Sequence, residues 1–193
     1  MKWVIRKVPE RDTEYLERNI PNSIVINDTE HVGAIKSFIM ALKEANDDAV
    51  YVQDDMLLCK DFCTKALEYI DRLSNQVIVF ANFTHDKLCK VFDEGYHSPR
   101  SACWLLCTYI PKRIAERFIS FMENEAETCG FIPNKFFQND FDDAIFSRFL
   151  ENIGEYVYVT VPNLAGHPKN KSVINPNRPK RICPNFDYKN AQE

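Results

Sequence analysis

Two adjacent aspartates, Asp54 and Asp55, follow an apolar run at residues 49–52, with Gln53 between. Neighbouring carboxylates repel each other and are costly unless a cation or hydrogen-bond donors compensate, so the pair invites a hard divalent ion, Mn2+ or Mg2+. Such an ion would bridge both phosphates of a bound nucleoside diphosphate and neutralise that group as it leaves. An acidic turn in solvent has the same composition, and what sets this one apart is its place behind a strand-like run. A second acidic cluster, Asn139, Asp140, Asp142 and Asp143, stands where a helical pattern begins. Acids there serve capping and the helix dipole; the functional reading is that Asp142 or Asp143 is a general base taking the proton of an acceptor hydroxyl. His167 follows the turn-forming Pro162-Asn163-Leu164-Ala165-Gly166. Its neutral imidazole would complete an Asp/His metal shell, with Lys169, Lys171 and Ser172 close enough in sequence to meet diphosphate oxygens.

Such residues need elements that carry them to one place. Residues 2–7 read as a short strand, broken by Val8-Pro9-Glu10-Arg11 before a helical pattern that turns Tyr15 and Leu16 inward. Residues 23–28 are a β-branched run ending in Asp28, and Val32, Ile35, Phe38, Ile39 and Leu42 follow at helical spacing. After Asn46-Asp47-Asp48, residues 49–52 form an apolar run of the kind buried in a parallel sheet. This alternation predicts a βαβαβ half, with helices on the sheet faces and strand ends along one edge, where ligands of such sheets bind. Asp28 and the Asp54-Asp55 pair are delivered to that edge.

Farther along, residues 61–73 read as a helix, 76–80 as a strand, the stretch to Arg100 as a polar loop and 101–110 as strand-like. Pro111 sits in the first turn of a helix to about residue 126, a position it tolerates. Asn139 is placed to cap a helix through residue 152 with Ile145, Phe146, Phe149 and Leu150 as its apolar stripe, and 156–160 is a final strand. From Pro162 onward the chain reads as irregular. The expectation is one α/β domain with a mostly parallel sheet flanked by helices.

Composition narrows the function. The 193 residues are 45% hydrophobic and 27% charged, enough for one domain with a substantial core. A net charge of −4 argues against coating nucleic acid with the whole surface, although Lys169, Lys171, Arg178, Lys180 and Arg181 form a basic stretch without an acid. Seven cysteines, Cys59, Cys63, Cys89, Cys103, Cys107, Cys129 and Cys183, are odd in number and lie in apolar surroundings; free thiols acting as small hydrophobes in a reducing compartment fit best. No run approaches the ~20 apolar residues of a membrane span, and residues 1–7 turn polar too soon for a signal-peptide core. A soluble, unprocessed cytoplasmic protein is expected.

In order and spacing these stretches resemble the GT-A glycosyltransferases over nearly the whole chain. The matching pieces are Val8-Pro9-Glu10-Arg11, Ile24-Val25-Ile26-Asn27-Asp28, the helix from Gly33 to Leu42, Val50-Tyr51-Val52-Gln53-Asp54-Asp55, the Asp142-Asp143 helix start, and Val161-Pro162-Asn163-Leu164-Ala165-Gly166-His167 with Ser172. The resemblance implies a Rossmann-like GT-A sheet in a catalytic domain at 1–166, divided into a nucleotide-binding half at 1–58 and an acceptor half at 59–166. The basic tail at 167–193 would close the donor site. It implies Asp54, Asp55 and His167 as ligands of Mn2+ or Mg2+, and Arg11, Asp28, Gln53, Asp54, Lys169, Lys171 and Ser172 around a nucleoside-diphosphate sugar, UDP foremost. Asp142 or Asp143 would be the base. Gln53 departs from the usual D-x-D, whose first acid is here an amide.

Two subgroups come into view. The lipopolysaccharide glycosyltransferases share the closing Pro-x-Leu-x-x-His…Ser. Gln53-Asp54-Asp55-Met56-Leu57-Leu58-Cys59-Lys60-Asp61-Phe62 and the small size look more like the phage and TET/JBP-associated enzymes that glycosylate hydroxymethylated pyrimidines in DNA. That likeness implies a 5-hydroxymethylcytosine acceptor, inversion at the anomeric carbon, and Tyr96, Arg100 and Trp104 as a surface for phosphates and stacked bases. Readings from other classes are a nucleotidyltransferase, which would want a Gly-rich loop where Val8-Pro9-Glu10-Arg11 stands, and a non-catalytic module that binds sugar nucleotides.

Overall fold

Strand β1 (Lys2–Lys7) buries Val4, Ile5 and Arg6, and every later element that carries a candidate residue is placed relative to it. The computed structural model describes residues 1–82, 93–102, 105–124, 142–168, 183 and 185–191. Helix α1 (Glu14–Asn19), strand β2 (Ile24–Asn27), helix α2 (Ala34–Ala45) and strand β3 (Ala49–Gln53) complete the βαβαβ half expected from the alternation. There follow β4 (Leu57–Leu58), α3 (Phe62–Leu73), β5 (Val77–Val79), β6 (Gly95–His97), α4 (Pro99–Ala102), β7 (Cys107–Ile110), α5 (Lys112–Asn124), α6 (Asp142–Asn152), β8 (Val157–Val159) and β9 (Ala165–Gly166).

Seven strands form one sheet in the order β2-β1-β3-β7-β5-β8-β6, and β4 pairs with β9 in a separate two-stranded clip. β2, β1, β3, β5 and β8 run in one direction; β7 and β6 run against them. The sheet is mostly parallel, as expected, with helices on both faces. Alternate residues of the central strands feed the two cores: Val4 and Tyr51 join Phe38, Phe118, Phe146 and Phe149 beneath α2, α5 and α6. Ile5, Val50 and Val52 join Leu16, Phe62 and Phe80 beneath α1 and α3. Burial on both faces is why these strands read as continuous apolar runs rather than as alternating ones.

Two sequence expectations are corrected. Residues 101–110 are not one strand: Pro99 opens the short helix α4, the Ser101 amide donates to the Ser98 carbonyl at 3.0 Å, and extended structure begins only at Cys107. Within the stretch read as loop, Gly95–His97 forms an edge strand antiparallel to β8. Strands of two or three residues such as β4, β6 and β9 are too short to show a period, and tertiary pairing alone defines them. Cys59, Cys63, Cys107 and Cys183 are free thiols, and burial pushes Cys107 well above the ordinary value, so it packs as an inert small hydrophobe. No helix among the described residues is long and apolar enough to cross a membrane.

Candidate active site

The end of β1 is shaped by a turn in which the Arg11 amide donates to the Val8 carbonyl at 3.1 Å. Pro9 presets the second position of that turn, and the reversal brings Arg11 back over the sheet edge. On the neighbouring strand the β1–β3 ladder runs through Arg6 opposite Gln53 and continues as the Asp54 amide donating to the Arg6 carbonyl at 3.0 Å. Asp54 and Asp55 therefore leave β3 beside the turn that carries Arg11. The Val8 amide donates to Asp54 Oδ2 at 3.0 Å, and Arg11 Nη1 donates to Asp54 Oδ1 and lies 2.8 Å from Asp55 Oδ2.

His167 reaches the same point from the far end of the chain. Asn163, buried, receives the Asn82 amide at 3.1 Å and returns its own amide to the Asn82 carbonyl at 3.0 Å, fixing the turn after β8. β9 then pairs antiparallel with β4, Leu57 opposite Gly166, so the residue after Gly166 is set beside the residues that precede Leu57. His167 Nε2 lies 3.0 Å from Asp55 Oδ2, and Nδ1 donates to the Pro168 carbonyl at 3.0 Å. With Nδ1 committed as donor, the neutral ring turns a lone pair towards a carboxylate oxygen. A shared cation, whether a proton or a metal, makes that contact attractive.

One guanidinium serves two acids, and the electrostatics are unequal. Burial pulls Arg11 down, but Asp55 and Asp54 together outweigh it and hold the guanidinium above its ordinary value. For Asp54 the balance is opposite: burial pushes its carboxyl above the usual carboxylate range although Arg11 and the Val8 amide oppose it, and Asp55 adds to the rise. Arg11 gains two anions, whereas Asp54 gains half a cation and a like-charged neighbour.

Among the described residues no group of three or more His, Cys, Asp and Glu side chains is set for a metal. Two donors do suit one. Adjacent ligands of an octahedral ion at about 2.1 Å stand about 3.0 Å from each other, and Asp55 Oδ2 and His167 Nε2 are 3.0 Å apart. Mg2+ in particular is commonly held by one or two carboxylates, waters and substrate phosphates, so a sparse protein set is adequate. The residues fit an ion once Arg11 has drawn away from Asp55.

A tail segment locks the His167 strand. Tyr188 Oη donates to the His167 carbonyl at 3.1 Å, and the ring of Phe186 lies so close over Gly166 that a Cβ there would overlap it. Gly166→Ala is expected to cost about 1–3 kcal/mol by overpacking, lowering Tm by roughly 2–4 °C per kcal/mol for a chain of this size. In a Phe186→Ala background the same substitution should cost much less, and scanning calorimetry of the four proteins gives the coupling. Additive losses would show that the two do not meet.

Asp142 and Asp143 head α6, but their surroundings differ. Asp142 is buried, accepts Arg6 Nη1 on Oδ2 at 2.8 Å, and accepts the Asp143 amide on Oδ1 at 2.9 Å. Asp143 is half-exposed, with Oδ1 receiving the Ala144 amide at 2.7 Å. Arg6 is the residue that the sequence reading missed. Its Nη2 donates to the Ala34 carbonyl at 2.9 Å and its guanidinium lies 5.0 Å from the centre of the Phe38 ring, so one buried cation ties β1 to the starts of α2 and α6. The available signal was a charge inside a strand with apolar neighbours on its N-terminal side.

Asp28 follows β2 at the same sheet edge, with Oδ1 accepting the Val32 amide at 2.8 Å and shaping the approach to α2. Gln53 is half-buried at the end of β3. Tyr96 and Arg100 are not brought to this cluster. Tyr96 lies on β6, exposed and edge-on to Tyr158 at 5.2 Å, and Arg100 pairs with Glu151 at 2.5 Å. β6 stands four strands from β3 in the sheet order, which is roughly 19 Å at the usual strand spacing. Trp104, Lys169, Lys171 and Ser172 lie outside the described residues, as do Asn139 and Asp140.

No family model matches this chain, and no curated protein sequence matches it. Among solved structures, S. aureus TarS, residues 1–349, is similar with a TM-score of 0.50 and 13% identity over 83% of this chain and 58% of that one. The same TarS segment in complex with UDP gives a TM-score of 0.46 and 14% identity over 84% of this chain and 61% of that one. The chain thus spans about three fifths of the TarS segments it matches. The first likeness, together with the strand order, shows the GT-A fold.

Proposed function

We propose that the protein is a divalent-metal-dependent glycosyltransferase that moves a sugar from a nucleoside-diphosphate donor, UDP foremost, to a hydroxyl group. The observation that carries this reading is the convergence of Arg11, Asp54, Asp55 and His167 at the carboxyl edge of β1 and β3. GT-A sheets bind ligands at that edge, and the cluster pairs acids that suit an ion with a guanidinium that suits phosphate. Asp55 and His167 would hold the ion, with Asp54 beside them; when bound, it supplies Lewis-acid neutralisation of the leaving diphosphate. Asp54, Asp28 and Gln53 border the nucleotide. Arg11 meets a diphosphate oxygen, joined by Lys169, Lys171 and Ser172 of the tail.

Asp143 is the base in this scheme. It stands in the first turn of α6 with a half-exposed carboxylate, whereas Asp142 is buried and paired with Arg6. Asp143 takes the proton as the acceptor oxygen attacks the anomeric carbon from the face opposite the diphosphate, which inverts the centre. For the acceptor we propose the hydroxymethyl group of a 5-hydroxymethylpyrimidine in DNA. This acceptor rests on the resemblance of residues 53–62; β6 runs antiparallel to β8, so Arg100, beyond His97 and paired with Glu151 late in α6, lies towards the sheet edge opposite Asp143.

The test is incubation with Mn2+, a panel of UDP-sugars and DNA containing hydroxymethylcytosine, followed by digestion and mass measurement of the nucleosides. A hexose or pentose mass added to the modified base is expected, together with its loss in EDTA and recovery on adding Mn2+. Transfer to lipopolysaccharide-type glycans in parallel tubes, with DNA unmodified, would replace the acceptor and keep the enzyme class. Intact donors in every tube would overturn the class itself.

A further inference from the structure

Arg11 occupies the position that a cation between Asp54 and Asp55 would take, and its hold is of a particular kind. Both ion pairs run through one nitrogen, Nη1, rather than through the two-pronged fork that makes arginine–carboxylate pairs strong. The Nε of Arg11 is buried and makes no hydrogen bond. A guanidinium attached end-on, with a buried donor unspent, is held by charge more than by geometry, and a competing cation can displace it.

We infer that Arg11 is an exchangeable counter-ion: it neutralises the acidic pair when the metal is absent, and a divalent ion must displace it from Asp55 to bind. This rests on the reading of Asp55 and His167 as metal ligands. Asp55 Oδ2 lies within 3.0 Å of both Arg11 Nη1 and His167 Nε2, so guanidinium and metal compete for the same oxygen. The displaced side chain, still anchored by the Val8–Arg11 turn, is free to give Nε and Nη1 to an anionic oxygen of the donor. Metal entry and diphosphate capture are thereby linked, because the ion releases the group that receives the phosphate. A site closed by Arg11 nine times in ten would show a metal affinity about tenfold weaker than the open site.

The experiment is Mn2+ titration of the whole chain, without nucleotide, by loss of the free-ion electron paramagnetic resonance signal, for the native protein, Arg11→Gln, Arg11→Lys and Asp55→Asn. Arg11→Gln should bind Mn2+ about tenfold more tightly than the native protein, Arg11→Lys should fall between them, and Asp55→Asn should bind least. A second readout is Tm: Arg11→Gln should melt lower than the native protein in EDTA and gain more from Mn2+, since the ion then replaces the missing charge. Equal or weaker binding by Arg11→Gln, with Asp55→Asn still defective, overturns the exchange and leaves the metal site standing. Native protein that binds no more Mn2+ than Asp55→Asn removes the metal ligands and the exchange together.

Discussion

Asp142→Asn is expected to destabilise the protein by about 3–5 kcal/mol, whereas its neighbour Asp143→Asn, at a half-exposed position, should cost far less stability and slow transfer. The first figure is the cost of breaking a buried ion pair by deleting one partner, and both members here are buried, with side-chain exposures of 7% and 8%. An asparagine keeps the volume and one acceptor but leaves the Arg6 guanidinium between β1, α2 and α6 without a counter-charge. Because Arg6 also holds the Ala34 carbonyl and packs on Phe38, the loss should spread to the α2 start. Replacing both partners by apolar residues, Arg6→Met with Asp142→Leu, should recover much of the loss, since buried pairs are often no more stabilising than well-packed hydrophobes. For Asp143→Asn the expected effect is a fall in kcat of about 10²–10⁴, the usual worth of a positioned base. Thermal melts beside single-turnover assays separate the two. An Asp142→Asn protein that melts like the native one, and has lost transfer, would exchange the roles assigned to the two acids.

The difference between these acids shows where sequence reasoning stops. Helix α6, its apolar stripe and the acids at its start are local properties, and a 3.6-residue period exposes them. That Asp142 turns inward depends on Arg6, 136 positions away in the chain, and no spacing rule links the two. The β1–α1–β2–α2–β3 half was legible for the same local reason: each element is long enough to show its period, and Asp28 and Asp54-Asp55 fall at strand ends by counting. The resemblance alone singled out Arg11, as a residue expected to border the donor, and its attachment to both acids was not legible, because the Val8–Arg11 turn acquires meaning only when β3 lies alongside. The β4–β9 clip that brings His167 to Asp55 consists of two residues against two. Strands that short carry no pattern, so His167 could be suggested only by the motif around it. The failed strand at 101–110 has the reverse cause: an apolar composition common to buried turns and strands misled where Pro99 starts a helix.

Within the cluster of Arg11, Asp54, Asp55 and His167, Asp55→Asn should have the largest effect on transfer, a loss on the order of 10²–10³ or more, comparable to removing a principal electrostatic stabiliser of a developing charge. Arg11 and His167 both converge on Asp55 Oδ2, so its charge positions both the guanidinium and the imidazole. His167→Gln removes only the nitrogen donor, and Asp54→Asn removes a carboxylate whose Oδ2 is already spent on the Val8 amide. Both should fall short of Asp55→Asn. The decisive comparison is the double variant Asp55→Asn/His167→Gln. Side chains that act through one bound ion are non-additive, because once the ion is lost the second ligand has nothing left to hold. The double variant should therefore be no slower than Asp55→Asn alone, and raising Mn2+ should partly rescue His167→Gln but not the double. Losses that multiply, with rates indifferent to Mn2+, would mean that His167 serves Asp55 as a hydrogen-bond donor and that Arg11 alone carries the positive charge facing the diphosphate.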